Sequence, residues 1–369
     1  MNLDDFKVKY HINQNNPRED YMDIVKSLGI ILVVMAHVQS PGKNMIFLFH
    51  MPLFFFVSGY FYKDKYSDNL ELLIKKRFKL LYIPFVKYEL IFLVLHNAFV
   101  NLGLYNSYEN EAIKMYSSTD FIINIFKVLT FNGTEVLIIP LWFLPVLFFT
   151  NIIFCLINRY FKSKWIRCLI IATLFILGVK LKYWDTNMKF NNFCPETINI
   201  SLVALTFFYI GYLYNKYKKY INLNFFIALL SFAVLVISGK NNITVDMRLN
   251  SYTNPIMLIP DALCGVYLLI FISKKICDLN INISLLKYIG RNTIPILALQ
   301  YISFKLINLI QIIMYGLPRI RLGDLGPINP SSFWWLIFTI IGMLVPIIIF
   351  YISNLFKGAL YFLHRSLHI

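Results

Sequence analysis

Residues 18–63 read REDYMDIVKSLGIILVVMAHVQSPGKNMIFLFHMPLFFFVSGYFYK. Two apolar blocks, 23–39 and 45–62, flank a short turn at 40–44. Each approaches the roughly 20 residues that a helix needs to cross a hydrocarbon core of about 30 Å. Comparable blocks recur at 80–100, 136–157, 166–181, 198–214, 223–238, 255–273, 289–314 and 333–355. The pattern predicts an all-α, polytopic transmembrane bundle of about ten spans, because a helix satisfies its own backbone where no water can.

Composition leads the same way. Of 369 residues, 58% are hydrophobic and 15% charged, and the mean hydropathy is +0.62. A soluble domain could not hide that much apolar surface. Neither a repeat nor a composition shift divides the chain, so one transmembrane domain at 23–356 is expected between tails at 1–22 and 357–369. The first twenty residues lack an apolar core and a small-residue cleavage site, and read as a cytoplasmic tail.

A net charge of +16 would suit nucleic acid if it were clustered on a soluble face, but the Lys and Arg residues sit mainly in short connections between apolar blocks. With the N-terminus inside, the cytoplasmic segments hold 22 basic residues and the external ones 10, the usual positive-inside bias. Both termini are therefore expected in the cytoplasm and no nucleic-acid partner is expected. The largest cytoplasmic cluster is Lys63, Lys65, Lys75, Lys76, Arg77 and Lys79; the longest external loop is 101–135. Five widely spaced cysteines form neither a disulfide nor a metal-ligand pattern, and no metal is expected.

Ionisable residues inside a span are costly and usually face a cavity or one another. The first two spans carry Asp23, Lys26, His37 and His50. Lys26 and His37 are 11 residues apart, which leaves them about 20° from one face and roughly 16 Å apart along the axis. Asp23, three residues before Lys26, can pair with it. A stripe with a cation near the cytoplasm and an imidazole deep in the membrane follows. Neutral imidazole can take a hydroxyl proton near pH 7. The plainer readings are a snorkelling Lys26 and a His37 that bonds another helix.

These residues carry a family resemblance. The quoted stretch resembles the amino-terminal signature of the acyltransferase family 3 membrane proteins, particularly the branch similar to fucose 4-O-acetylases: a basic residue, ten positions and a histidine fall on Lys26 and His37. FHMPLFFFVSGY, with His50, Ser58 and Gly59, is similar to the second signature segment. RFKLLYIPF from Arg77, LWFLPVLFF from Leu141 and YIGRNTIPI from Tyr288 resemble later segments, in order. One departure is Gln300, which stands roughly where relatives often have a histidine.

The resemblance implies a multi-pass cell-membrane enzyme that moves an acetyl group from acetyl-CoA, its acyl-donor substrate, to a hydroxyl of a cell-surface or lipid-linked polysaccharide. Membrane lipid is the other expected partner. On this reading His37 is the general base and His50 helps bind or orient the thioester or acceptor. Lys26 and Arg77 would meet the CoA phosphates, with Asp23 and Ser58 in support. Direct attack and an acetyl-histidine intermediate remain open.

A transporter or flippase of a glycan precursor would share the spans and buried charges, but gives no reason for the Lys26 and His37 spacing and would bring inverted repeats that the chain lacks. Glu89, Lys87, Asp261 and Lys305 are expected either to line cavities or to pair with one another. Trp142, Trp334 and Trp335 read as packing or interfacial residues rather than sugar platforms.

Overall fold

The computed structural model describes residues 19–108, 111–185, 195–279, 281–330 and 333–366. Most of the expected N-terminal tail, 1–18, and the last three residues, 367–369, lie outside the described residues. Five helices open the chain: α1 (Asp20–His37), α2 (Lys43–Phe47), α3 (His50–Tyr60), α4 (Lys65–Asp68) and α5 (Leu70–Arg77). A π-helical turn, Phe78–Tyr82, joins α5 to α6 (Ile83–Asn101). A hairpin, β1 (Ser107–Tyr108) with β2 (Glu111–Ala112), precedes α7 (Ser118–Leu129), and a 3-10 segment, Val136–Trp142, leads into α8 (Phe143–Tyr160). Next come α9 (Lys164–Asp185), α10 (Pro195–Tyr217) and α11 (Phe225–Lys240). A second hairpin, β3 (Val245–Asp246) with β4 (Ser251–Tyr252), is followed by α12 (Pro255–Asp278), α13 (Ser284–Arg291), α14 (Thr293–Tyr315) and α15 (Trp334–Ser366).

Among the described residues five helical stretches are long and apolar enough to cross a membrane: Val136–Tyr160, Glu196–Tyr220, Pro255–Asp278, Thr293–Tyr315 and Trp334–Leu355. They correspond to the fourth, sixth, eighth, ninth and tenth expected spans. Phe225–Lys240 is apolar but shorter. Large apolar side chains such as Val94, Phe226 and Ile313 are 74–76% exposed, an outer surface that suits lipid and not water.

The first spans differ from the expectation in an instructive way. Helix α1 is 18 residues long but carries Asp20, Asp23 and Lys26. Met22, Ile24, Val25, Ile30, Val33 and Val34 are all 0–1% exposed. Those residues point all round the axis, so α1 runs through the middle of the bundle. The expected second span is broken after Phe47, and α3 starts at His50. Pro52 favours this, since it has no N–H to give the Leu48 carbonyl and sits in the first turn of α3, where that N–H is not needed.

The expected cytoplasmic connections meet at one end. There Glu19 pairs with Lys218 and Asp20 with Lys287, the Tyr212 hydroxyl donates to Asp64 at 2.7 Å, and Asn158 Nδ2 donates to Ser67 at 2.7 Å. The expected external connections meet at the other: Gly239 lies against Met45, Gly323 against Tyr105 and Asn106, and Asn250 Nδ2 donates to the Gly178 carbonyl at 2.8 Å. The 101–135 loop is more than a loop. Its helix α7 packs on α6, and the Tyr82 hydroxyl at the start of α6 donates to the Leu129 carbonyl at 2.8 Å.

Helices α3 and α10 approach backbone to backbone. A Cβ on Gly59 would lie 1.8 Å from the Phe208 carbonyl oxygen, and one on Gly211 would lie 1.9 Å from that of Phe56. Small residues at such crossings let membrane helices pack closely. Gly59→Ala is expected to destabilise the protein by about 1–3 kcal/mol, the usual cost of overpacking. Thermal unfolding of the purified protein checks this; a melting temperature equal to the parent's would contradict it.

Candidate functional site

The site starts from a carboxylate that cannot stay alone. Asp23 is fully buried on the first turns of α1, where an uncompensated charge would cost several kcal/mol. Lys26 Nζ lies 2.7 Å from one of its oxygens, which is the expected pairing along the helix. Arg291 Nε reaches the other oxygen at 2.7 Å. Arg291 can do so because Gly290 brings α13 against α1; a Cβ there would sit 1.9 Å from the Asp23 carbonyl oxygen. The Lys26 ammonium also lies 5.7 Å from the Phe61 ring centre, a cation–π contact. It is therefore a compensated cation on the first half of α1 rather than a freely snorkelling one.

His37 is the last residue of α1. The 11-residue spacing places it about 16 Å beyond Lys26, at the far end of the helix. Its Nδ1 lies 3.0 Å from Gln300 Oε1, and its ring centre is 5.3 Å from that of Tyr301. Gln300 Nε2 donates to the Leu297 carbonyl at 3.2 Å, which fixes the amide orientation. An amide oxygen only accepts, so the Nδ1 of His37 carries the proton and Nε2 keeps its lone pair. Gln300, whose place in the sequence put a role in doubt, is thus the partner that orients this imidazole.

His50 opens α3 at the same end of the bundle. It is 4% exposed, and its Nδ1 donates to the Ile46 carbonyl at 2.9 Å. Its Nε2 is likewise left as the acceptor, and a charge on His37 would be felt at His50. The two histidines therefore share a neighbourhood. Asp246, on the second hairpin, lies within electrostatic reach of His37, a contribution the sequence gave no sign of.

Ser58 does not join them. It is half-buried on α3, eight residues and so about 12 Å along the axis from His50. Arg77 ends α5 and is half-buried, away from the Asp23 cluster; its Nε is buried with no hydrogen-bond partner among the described residues. Tyr62 and Tyr66 are the neighbours that feel its charge. Nearby, burial would raise the Asp64 carboxyl, but the hydrogen bond from Tyr212 and the Lys216 ammonium at 3.3 Å outweigh it and hold the group below the ordinary carboxylate range.

Three other buried charges, Lys305, Asp261 and Glu89, bond backbone groups or a hydroxyl. Lys305 Nζ donates to the carbonyls of Leu322 and Asp324 at 3.0 and 2.6 Å. Asp261 accepts from the Ser238 hydroxyl at 2.8 Å, and Glu89 accepts from the Thr134 and Glu135 amides. Lys87 is exposed. Trp334 donates from Nε1 to the Tyr315 hydroxyl at 2.8 Å, in keeping with a packing role. Among the described residues no group of acidic, His and Cys side chains could hold a metal ion.

A protein-family model described as Acyltransferase domain matches residues 19–352, a range that takes in Asp23, Lys26, His37, His50, Arg77 and Gln300. No curated protein and no solved structure matches the chain.

Removing the Asp23 charge would leave Lys26 and Arg291 without their shared counter-ion. Asp23→Asn is expected to destabilise the protein by about 3–5 kcal/mol, as for other broken buried pairs, with a matching loss of folded yield. Size-exclusion profile and melting temperature measure it, and Asp20→Asn, half-exposed at the helix start, serves as the mild comparison. Equal stability of the two variants would contradict the structural role of Asp23.

Proposed function

The chain belongs to this acyltransferase family, and from that premise we propose that it is an integral-membrane O-acetyltransferase that moves an acetyl group from cytoplasmic acetyl-CoA to a hydroxyl of a cell-surface or lipid-linked polysaccharide. The observation that carries the reading is the hydrogen bond from His37 to Gln300, because it leaves a lone pair on Nε2 of an imidazole at the end of the central helix. In the proposed reaction Nε2 takes the proton of the sugar hydroxyl as its oxygen attacks the thioester carbonyl. The carbon–sulfur bond then breaks, and the CoA thiolate takes the proton back from the imidazolium. His50, in the same neighbourhood, would orient the thioester or the acceptor.

The donor would enter from the basic end. Positive-inside counting puts both termini and the Lys63–Lys79 cluster in the cytoplasm. Arg77, with a buried and unpartnered Nε, suits a CoA phosphate, since a guanidinium bonds phosphate oxygens in pairs. Lys26 would add charge further in, and the pantetheine arm would follow α1 towards His37.

Two outcomes are expected. Transfer per folded molecule should fall by roughly 10² to 10⁴ fold in His37→Ala, the usual contribution of a general base, while acetyl-CoA binding persists. Turnover close to the parent's would remove His37 from the chemistry. Arg77→Gln and Lys26→Gln should each weaken acetyl-CoA binding measured by direct titration, and added salt should weaken it in the parent. Unchanged affinity in both variants would exclude the proposed donor site.

A further inference from the structure

A second polar site lies away from the histidines. A cavity of about 350 Å³ opens between α6, the strap 131–136 that follows α7, and the starts of α8 and α10. That is within the size range of small-ligand pockets. Glu89, Glu135, Trp142 and Arg248 line it, with Phe85 and Phe131 as apolar floor. Glu89 and Glu135 are only 1% and 3% exposed, and buried carboxylates within a membrane bundle are functional candidates.

Each carboxylate accepts hydrogen bonds through its Oε2. Glu89 Oε2 accepts from the Thr134 amide at 3.1 Å and the Glu135 amide at 3.4 Å, so it anchors the strap. Its Oε1 lies against the strap as well, 2.9 Å from where a Cβ on Gly133 would sit. Glu135 Oε2 accepts from the Tyr105 hydroxyl at 2.8 Å and faces His96 Nδ1 at 3.0 Å. The other nitrogen of His96 lies 3.0 Å from the Lys114 carbonyl, so that nitrogen carries a proton and donates to it. Glu135 Oε1 is buried with no partner among the described residues. Two buried carboxylate side chains thus border the cavity beside an indole ring.

That set matches the chemistry of a polyhydroxylated ring: hydroxyls donate to carboxylates, and the ring's C–H face lies on an aromatic side chain. We propose that this cavity binds one sugar unit of a carbohydrate, held by Glu89 and Glu135 against Trp142. The 3-10 segment Val136–Trp142 lies between the cavity and α14. Leu137, Ile138 and Leu141 on that segment are 0–1% exposed and the segment packs on α14, which carries Gln300, whereas Val136, Ile139 and Trp142 face the cavity. On the acetyl-transfer reading the bound unit belongs to the acceptor chain and is not the one whose hydroxyl reacts, since neither His37 nor His50 lines the cavity. Assigning it to the acceptor rests on the acetyl-transfer reading; sugar binding itself does not.

The test uses the purified full chain without donor, probed with methyl glycosides of neutral hexoses and deoxyhexoses by saturation-transfer NMR. At least one glycoside is expected to bind. Trp142→Ala and Glu135→Gln should each weaken that binding by about tenfold or more, as loss of a hydrogen bond to a charged group does, while acetyl-CoA binding stays as in the parent. If Glu135→Gln does not fold, Ile139→Trp, which fills the cavity from its apolar side, takes its place and should abolish binding. Binding that is unchanged in the folded variants, absence of any glycoside binding, or binding of a divalent cation alone would each overturn the proposal. Failure of the parent to consume acetyl-CoA would instead count against the proposed function and leave the sugar site standing.

Discussion

The carboxylate of Asp23 is wholly buried and shared between Lys26 on its own helix and Arg291 on α13. A charge so placed is tolerable only with its partners in position, so the triad fixes α1 and α13 in depth and register. Helix α14 begins two residues after α13 ends. The same tie therefore sets Gln300, nine residues beyond Arg291, where its amide oxygen meets His37 at 3.0 Å. One electrostatic constraint near the start of α1 thus aligns the imidazole at its other end.

Much of this was legible in the sequence. Blocks of apolar residues near the length of a bilayer crossing reported a membrane bundle, and the five helical stretches long and apolar enough to cross a membrane fall where those blocks are. The three-residue spacing of Asp23 and Lys26 foretold their ion pair, because side chains three apart on a helix meet. The alternation of basic and less basic connections also agrees with the way the loops gather at two ends. The family signature rests on residues that the structure places on the central helix and on the helix beginning with His50.

Other features depend on contacts between distant segments, and periodicity cannot report those. Gln300 lies 263 residues from His37, and only the packing of α14 on α1 reveals it as a partner instead of a departure from the family pattern. Arg291 lies 268 residues from Asp23 and completes its site. The second expected span looked continuous by hydropathy, which is blind to the hydrogen bond that Pro52 cannot make. Glu89 and Lys305 seemed candidates to pair with other charges. They turn instead to backbone amides and carbonyls of loops, which no count of charges reveals. Trp142 read as a packing residue, and the structure sets it on a cavity wall.

The account turns on the state of one imidazole. If His37 is held by Gln300 and serves as a base, its resting form at neutral pH carries the proton on Nδ1 and a free lone pair on Nε2. Nitrogen-15 NMR of histidine-labelled protein, with the His37→Ala spectrum to assign the signals, reads that state directly. A neutral ring protonated on Nδ1 is the predicted result, and a shift towards the other tautomer on removing the Gln300 amide would extend it. A His37 that is doubly protonated at neutral pH, or neutral with its proton on Nε2, would contradict the account.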